Sequence, residues 1–157
     1  MTKLQKISLF ALRVSMGWMM FYAGITKVLD PSWTAEGYIK GAQNFSWFFS
    51  RLLNPGILPA MNFLNEWGLT LLGVSLILGI GVRLSSILGA VLMLMYYIVL
   101  PFPYPNPHSL VVDEHIIYIA VLLYFAATRA GRVYGLENWC SNLPICAKFP
   151  KIREWLG

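Results

Sequence analysis

The stretch ALRVSMGWMMFYAGITKVLDP, residues 11–31, is apolar and long enough to cross a bilayer, yet it carries Arg13 near one end and Lys27 near the other. Read as a helix, it puts Arg13, Gly17, Met20, Gly24 and Lys27 on one face, because steps of four and three return to the same side. Lipid rejects a face with two cations, so it has to point into a protein interior or a water-filled cavity. The glycines on it let a neighbouring backbone come close. The two cations lie about 21 Å apart along the axis, at 1.5 Å per residue. They need partners at different depths, and the rest of the chain must supply them.

Of the 157 residues, 57% are hydrophobic and 12% charged, an excess that points to an integral membrane protein built as a single domain over residues 1–157. The formal charge is +5, but no basic run is interleaved with aromatics on a soluble face, which argues against nucleic-acid binding. Lys3 and Lys6 ahead of an apolar run look like the start of a signal peptide. The run is too long and lacks a small-residue cleavage site, so it reads as a retained first span. Cys140 and Cys146, in C-S-N-L-P-I-C, fit neither C-x-x-C nor a zinc pattern. They read as structural thiols, with a bridge open to them only in an oxidising compartment.

In chain order, spans are expected at residues 7–29, 60–81, 84–100 and 109–128, giving an all-α integral membrane protein with a four-helix bundle. Asp30-Pro31 ends the first. Residues 34–53 repeat Tyr38, Ala42, Phe45, Phe49 and Leu52 at steps of four and three, which predicts an amphipathic helix in the membrane interface. The second span carries Asn62, Asn65 and Glu66 in its first third. A carboxylate deep in a span costs about 2.5–3.5 kcal/mol, so Glu66 reads equally as a helix-holding ion pair or as a proton or ligand group. The stripe Ser86, Gly89, Met93 and Tyr96 on the third span reads as packing. Alternating prolines over residues 101–108 predict a stiff extended connector. The fourth apolar run is too short unless it starts at Ser109, which places Asp113, Glu114 and His115 in its second turn and Tyr118 one turn beyond Glu114. Apart from His108, no second histidine accompanies His115, so no metal site is expected.

Lys3, Lys6, Arg83, Arg129, Arg132, Lys148, Lys151 and Arg153 collect on one side, and Lys40 and Arg51 on the other. That bias predicts a plasma-membrane protein with both termini, and the tail 129–157, in the cytoplasm. Lys27, Glu66 and the group Asp113, Glu114 and His115 then share the outer depth on three helices, which predicts one outer site. Arg13 stands apart, expected to snorkel to the inner interface or meet a lipid headgroup.

The pieces L-R-V-S-M-G at 12–17, A-G-I-T-K at 23–27, Glu66 ahead of a glycine-spaced span, and A-G-R-V-Y-G-L-E-N at 130–138 resemble the DoxX-like membrane family. That family includes DoxD, the large subunit of thiosulfate:quinone oxidoreductase. The resemblance implies a four-helix membrane bundle and oxidation of thiosulfate to tetrathionate outside the membrane, with electrons passed to quinone. It also implies a second membrane or extracytoplasmic subunit; self-association is a further option. Arg13, Lys27, Glu66 and the acidic start of the fourth span match the family's polar positions. With the reading above, the expected catalytic residues are Lys27, Glu66, Glu114 and His115, and the expected quinone-binding residues are Arg13, Asn65, Asp113 and Tyr118. No flavin, haem or iron–sulfur motif is visible, which leaves quinone as the redox partner of this chain. The alternative is a non-catalytic module that binds a lipid or quinone, or anchors a partner enzyme. A thiol–quinone oxidoreductase using Cys140 and Cys146 ranks last, since the charge bias puts both on the reducing side.

Overall fold

The computed structural model describes residues 1–101 and 110–140, and among these every regular element is helical. Helix α1 runs Lys3–Val28, α2 Glu36–Lys40, α3 Ser46–Leu52, α4 Leu58–Leu78, α5 Val82–Val99, α6 Glu114–Thr128 and α7 Glu137–Cys140, with a 3₁₀ turn at Ala130–Arg132. Three of them, α1, α4 and α5, are long and apolar enough to cross a membrane. The proline-rich connector and the cysteine motif fall almost entirely outside the described residues.

Local chemistry sets the boundaries. Thr2 and Gln5 form a reciprocal capping box: the Thr2 N–H donates to Gln5 Oε1 at 2.7 Å and the Gln5 N–H to Thr2 Oγ1 at 3.2 Å. Left-handed Gly79 and Gly81 make the sharp turn between α4 and α5, a conformation that costs glycine little. Helix α6 corrects the expected start at residue 109. Asp113 is its N-cap, accepting from the Ile116 N–H at 3.1 Å, so the helix begins at Glu114 and has 15 residues.

The long helices form two close pairs, α1 with α4 and α5 with α6, while α4 meets α5 more sparsely. The first pair is close because glycines face backbone. A Cβ on Gly24 would collide with Thr70, one on Gly73 with the backbone of Phe21, and one on Gly17 would sit 2.9 Å from Leu76 Cβ. Leu69, Leu72 and Leu76 of α4 join Met16 and Met20 of α1 and Leu122 and Phe125 of α6 in the shared core.

The segment after α1 is a two-part cap rather than the single helix expected over residues 34–53. It breaks between α2 and α3, where Phe45 is left-handed. Capping demand explains the break. The Tyr38 hydroxyl donates to Tyr96 O at 2.9 Å and the Asn44 amide to Leu100 O, two carbonyls at the C-terminal end of α5 that the helix leaves open. Asn62 Oδ1 of α4 accepts from the Ala35 N–H at 3.0 Å. Ala35, Ile39, Phe49 and Val99 close a second small core beneath the cap. The cap is thereby fixed to both halves of the bundle at the Lys27 end.

Candidate functional site

The two cations of α1 receive different environments. Arg13 is fully buried, which corrects the expected snorkelling side chain. Its Nη1 donates to Leu76 O at 2.7 Å, at the C-terminal end of α4, and its Nη2 to Val133 O at 3.2 Å and Tyr134 O at 3.4 Å. It lies 5.5 Å from the Phe10 ring centroid. The segment after α6 is the recipient: Leu136 N–H bonds Leu78 O at 3.0 Å, and Arg132 Nε bonds Glu137 Oε1 at 3.3 Å. Gly131 and Gly135 pack too closely for any side chain. The second Glu137 oxygen is buried without a hydrogen bond. Burial holds the Glu137 carboxyl above its ordinary range, with Arg132, Arg129 and Arg13 pulling it partly back. Arg13 is a staple tying the tail segment to the end of α4, remote from the other polar cluster.

That cluster lines a cavity of about 440 Å³ at the opposite end, beneath the cap. The α1–α4 pair supplies Lys27 and Asn65, with the Lys27 ammonium donating to Asn65 Oδ1 at 2.8 Å. The α5–α6 pair supplies Tyr96, Glu114 and His115, and the cap supplies Trp33 and Tyr38. Lys27 Nζ lies 5.0 Å from the Trp33 ring centroid and 5.8 Å from that of Tyr96, so aromatic faces flank the ammonium. The Tyr96 hydroxyl is buried beside the Asn65 side chain. Asp113, also buried, holds His115 Nδ1 at 2.6 Å from its second oxygen while the first caps α6. That contact fixes the Nδ1–H form and leaves Nε2 as the open nitrogen of the ring.

Of the expected residues, Lys27, Asn65, Glu114 and His115 line this cavity together, and Asp113 stands directly behind His115. Tyr118 packs edge-on against His115, with ring centroids 6.3 Å apart, and is not in the wall. Glu66 is half-buried beside the cavity rather than in it. It faces Lys27 as a nearby charge, and no ion pair joins the two among the described residues. No group of three or more metal-ligating side chains occurs among the described residues. Sequence reasoning missed Trp33, Tyr38 and Tyr96. The available signal for Tyr96 was its place one residue-face from a polar site on a stripe assigned to packing; for Trp33 and Tyr38 it was an aromatic pair right after the break that follows Lys27.

The family model DoxX matches residues 8–101, which takes in Arg13, Lys27, Asn65, Glu66 and Tyr96 and stops before α6. No curated protein and no solved structure matches the chain. The matched stretch covers more than half of the sequence and both cationic ends of α1, and on that ground the chain belongs to the DoxX family of membrane proteins.

Proposed function

We propose that the cavity beneath the cap binds the ring of a quinone, and that the chain is the membrane subunit of a quinone-linked oxidoreductase. In this reading α1, α4, α5 and α6 are four crossings of the plasma membrane, both termini are cytoplasmic, and the cap rests in the outer interface. The bias of Lys3, Lys6, Arg83, Arg129 and Arg132 to the Arg13 end supports that orientation.

One observation carries the reading: a cation with spare donors and an imidazole with a fixed tautomer share a single aromatic-walled cavity. The residues fit a ring carbonyl. Lys27 commits one of three donors to Asn65, which leaves two for a ligand. Trp33, Tyr38 and Tyr96 offer faces to a flat ring. A bound quinone would supply the two-electron chemistry, taking two electrons and two protons to become a quinol. In this chain Lys27 orients and polarises one carbonyl oxygen. His115 Nε2, with Nδ1 held by Asp113, would exchange a proton with a ring oxygen bound in the cavity. Glu114, exposed at the mouth, passes protons between His115 and water. Electrons enter from a donor on a separate subunit. Glu114 in the same wall offsets the Lys27 charge, which favours a neutral carbonyl compound over a sulfur dianion here and leaves thiosulfate to the partner. The non-catalytic module requires no oriented imidazole, and the Asp113–His115 contact favours the catalytic reading over it.

The test is a thermal shift of the detergent-solubilised protein with benzoquinones and naphthoquinones. At a hundredfold excess over Kd, binding stabilises by roughly 2.7 kcal/mol. The wild type should gain a shift with at least one ring class. Lys27→Met combined with Asn65→Leu should fold, since both partners of the bond leave together, and should lose the shift. A wild type indifferent to every quinone would hand the preference to the module reading.

A further inference from the structure

The cavity is covered by a weakly held element. Helix α2 has five residues, too few to stay helical without outside contacts. Its Gly37 meets nothing within 4 Å, so that side of the helix is unpacked. The bonds from Ala35 to Asn62 and from Asn44 to Leu100 hold the backbone on either side of it. The bonds from Tyr38 to the Tyr96 carbonyl and between Thr34 and Asn62 lie at the exposed rim, where water competes for both partners. Inside the rim, the cap meets the cavity through Trp33, whose ring lies over the Lys27 ammonium.

Four elements meet at that ammonium. Lys27 comes from α1, Asn65 Oδ1 on α4 accepts from it, and rings are presented to it by Tyr96 on α5 and Trp33 in the cap. An aromatic face attracts a cation through its quadrupole, and the attraction grows as water is removed. The other charged or titratable groups near it are Glu66 on α4, Glu114 and His115 in the cavity wall, and Asp113 behind His115. Among the described residues no carboxylate forms an ion pair with Lys27. No close anion therefore competes with the two rings for it.

We propose that Trp33 and Lys27 form a clasp: the charge on Lys27, held against the Trp33 ring, keeps the cap closed over the cavity, and displacing that charge opens it. The cap is then a lid worked by the same ammonium that meets a ligand. A ligand oxygen that draws the ammonium toward itself takes it off the rings, so entry and release are tied to the position of one charge. The clasp holds whatever the cavity binds and does not depend on the ring-binding reading.

The experiment uses the full chain in detergent with Cys140→Ser and Cys146→Ser, which removes both native cysteines. One reporter is Ala35→Cys, in the cap, and the other is Ala90→Cys, in the main core; both alanines are 6% exposed. The rate of labelling by N-ethylmaleimide is measured at each. Lys27→Met and Trp33→Leu should each speed labelling at position 35 by about three- to thirtyfold, the range from an exposed to a desolvated cation–π contact. The two together should do no more than the larger single effect, because they break one contact. Lys27→Arg, which keeps a cation over the ring, should label as slowly as the parent. Labelling at position 90 should not change in any of them. Protection that survives Lys27→Met but not Trp33→Leu would overturn the clasp and leave Trp33 as packing alone. Effects that multiply in the double variant would overturn it too, as would labelling at position 90 that rises in step with position 35. The measurement contains no ligand, so none of these outcomes bears on ring binding, which the thermal shift decides.

Discussion

Asn65 and Glu66 are neighbours in sequence, and a helix turns about 100° between them. That rotation decides which one meets Lys27. Thr70 and Gly73, on the face of Glu66, are pressed against α1, and the Glu66 carbonyl accepts from Thr70 Oγ1 at 2.7 Å. Asn65, turned toward α5, reaches the ammonium and the cavity. Lys27→Met alone should therefore cost little in folding, since the bond it loses is to a neutral amide that also lines the cavity, on the order of 1 kcal/mol by the usual worth of one bond. Arg13→Met is the contrasting case. It strips three carbonyls of their charged donor, and each buried acceptor left unsatisfied costs about 1–3 kcal/mol, so the loss should be several times that for Lys27→Met. Arg13→Lys should recover only part, because an ammonium cannot span two elements as a planar fork does. Melting temperatures of the three purified variants separate these outcomes, and equal losses for Lys27→Met and Arg13→Met would contradict them.

Helix ends and helix contacts are where sequence and structure part. The apolar periods and the Asp30-Pro31 stop locate α1, α4 and α5 to within a few residues, because a long period is a strong local signal. The cap was not legible as two helices, since its break answers to open carbonyls of α5, remote in sequence. The start of α6 is set by the N-cap at Asp113, a local signal that the length needed to cross a bilayer does not register. Half of the site was visible as misplaced charge: Lys27 and the run Asp113, Glu114 and His115. The other half, Trp33, Tyr38 and Tyr96, is aromatic and looks like packing until the fold closes around it. Glycine spacing makes a direct check at this scale. Gly73→Ala should destabilise by about 1–3 kcal/mol, as the new methyl group drives α1 and α4 apart at Phe21. Gly37→Ala in α2 meets nothing within 4 Å and should be neutral or slightly stabilising. Circular dichroism melts of the pair read this, and similar behaviour of both would count against a backbone-to-backbone α1–α4 contact.

At the scale of the whole molecule, the Arg13 end gives stability a pH dependence. Burial raises the Glu137 carboxyl above its ordinary value of 4.5, so the folded state binds that proton more tightly than the unfolded chain. The stabilising contribution is full below the ordinary value and is lost as pH rises through the folded one. Glu137→Gln, which keeps the shape of the protonated acid, should hold its melting temperature better than wild type as pH goes from 4 to 7. Parallel curves for the two proteins would rule this out. The topology has its own check: single cysteines at the N-terminus and in the cap, in a chain freed of Cys140 and Cys146, should react with an impermeant maleimide only in the cap.

The pairing of α1 with α4 and of α5 with α6 divides the cavity between two bodies, Lys27 and Asn65 on one and Tyr96 and His115 on the other. A molecule bonded to both walls is therefore a cross-link between halves that otherwise touch sparsely. Occupancy then becomes a mechanical property of the bundle. A filled cavity stiffens the seam and slows amide exchange along α4 and α5 together, and an empty one lets the halves breathe against each other.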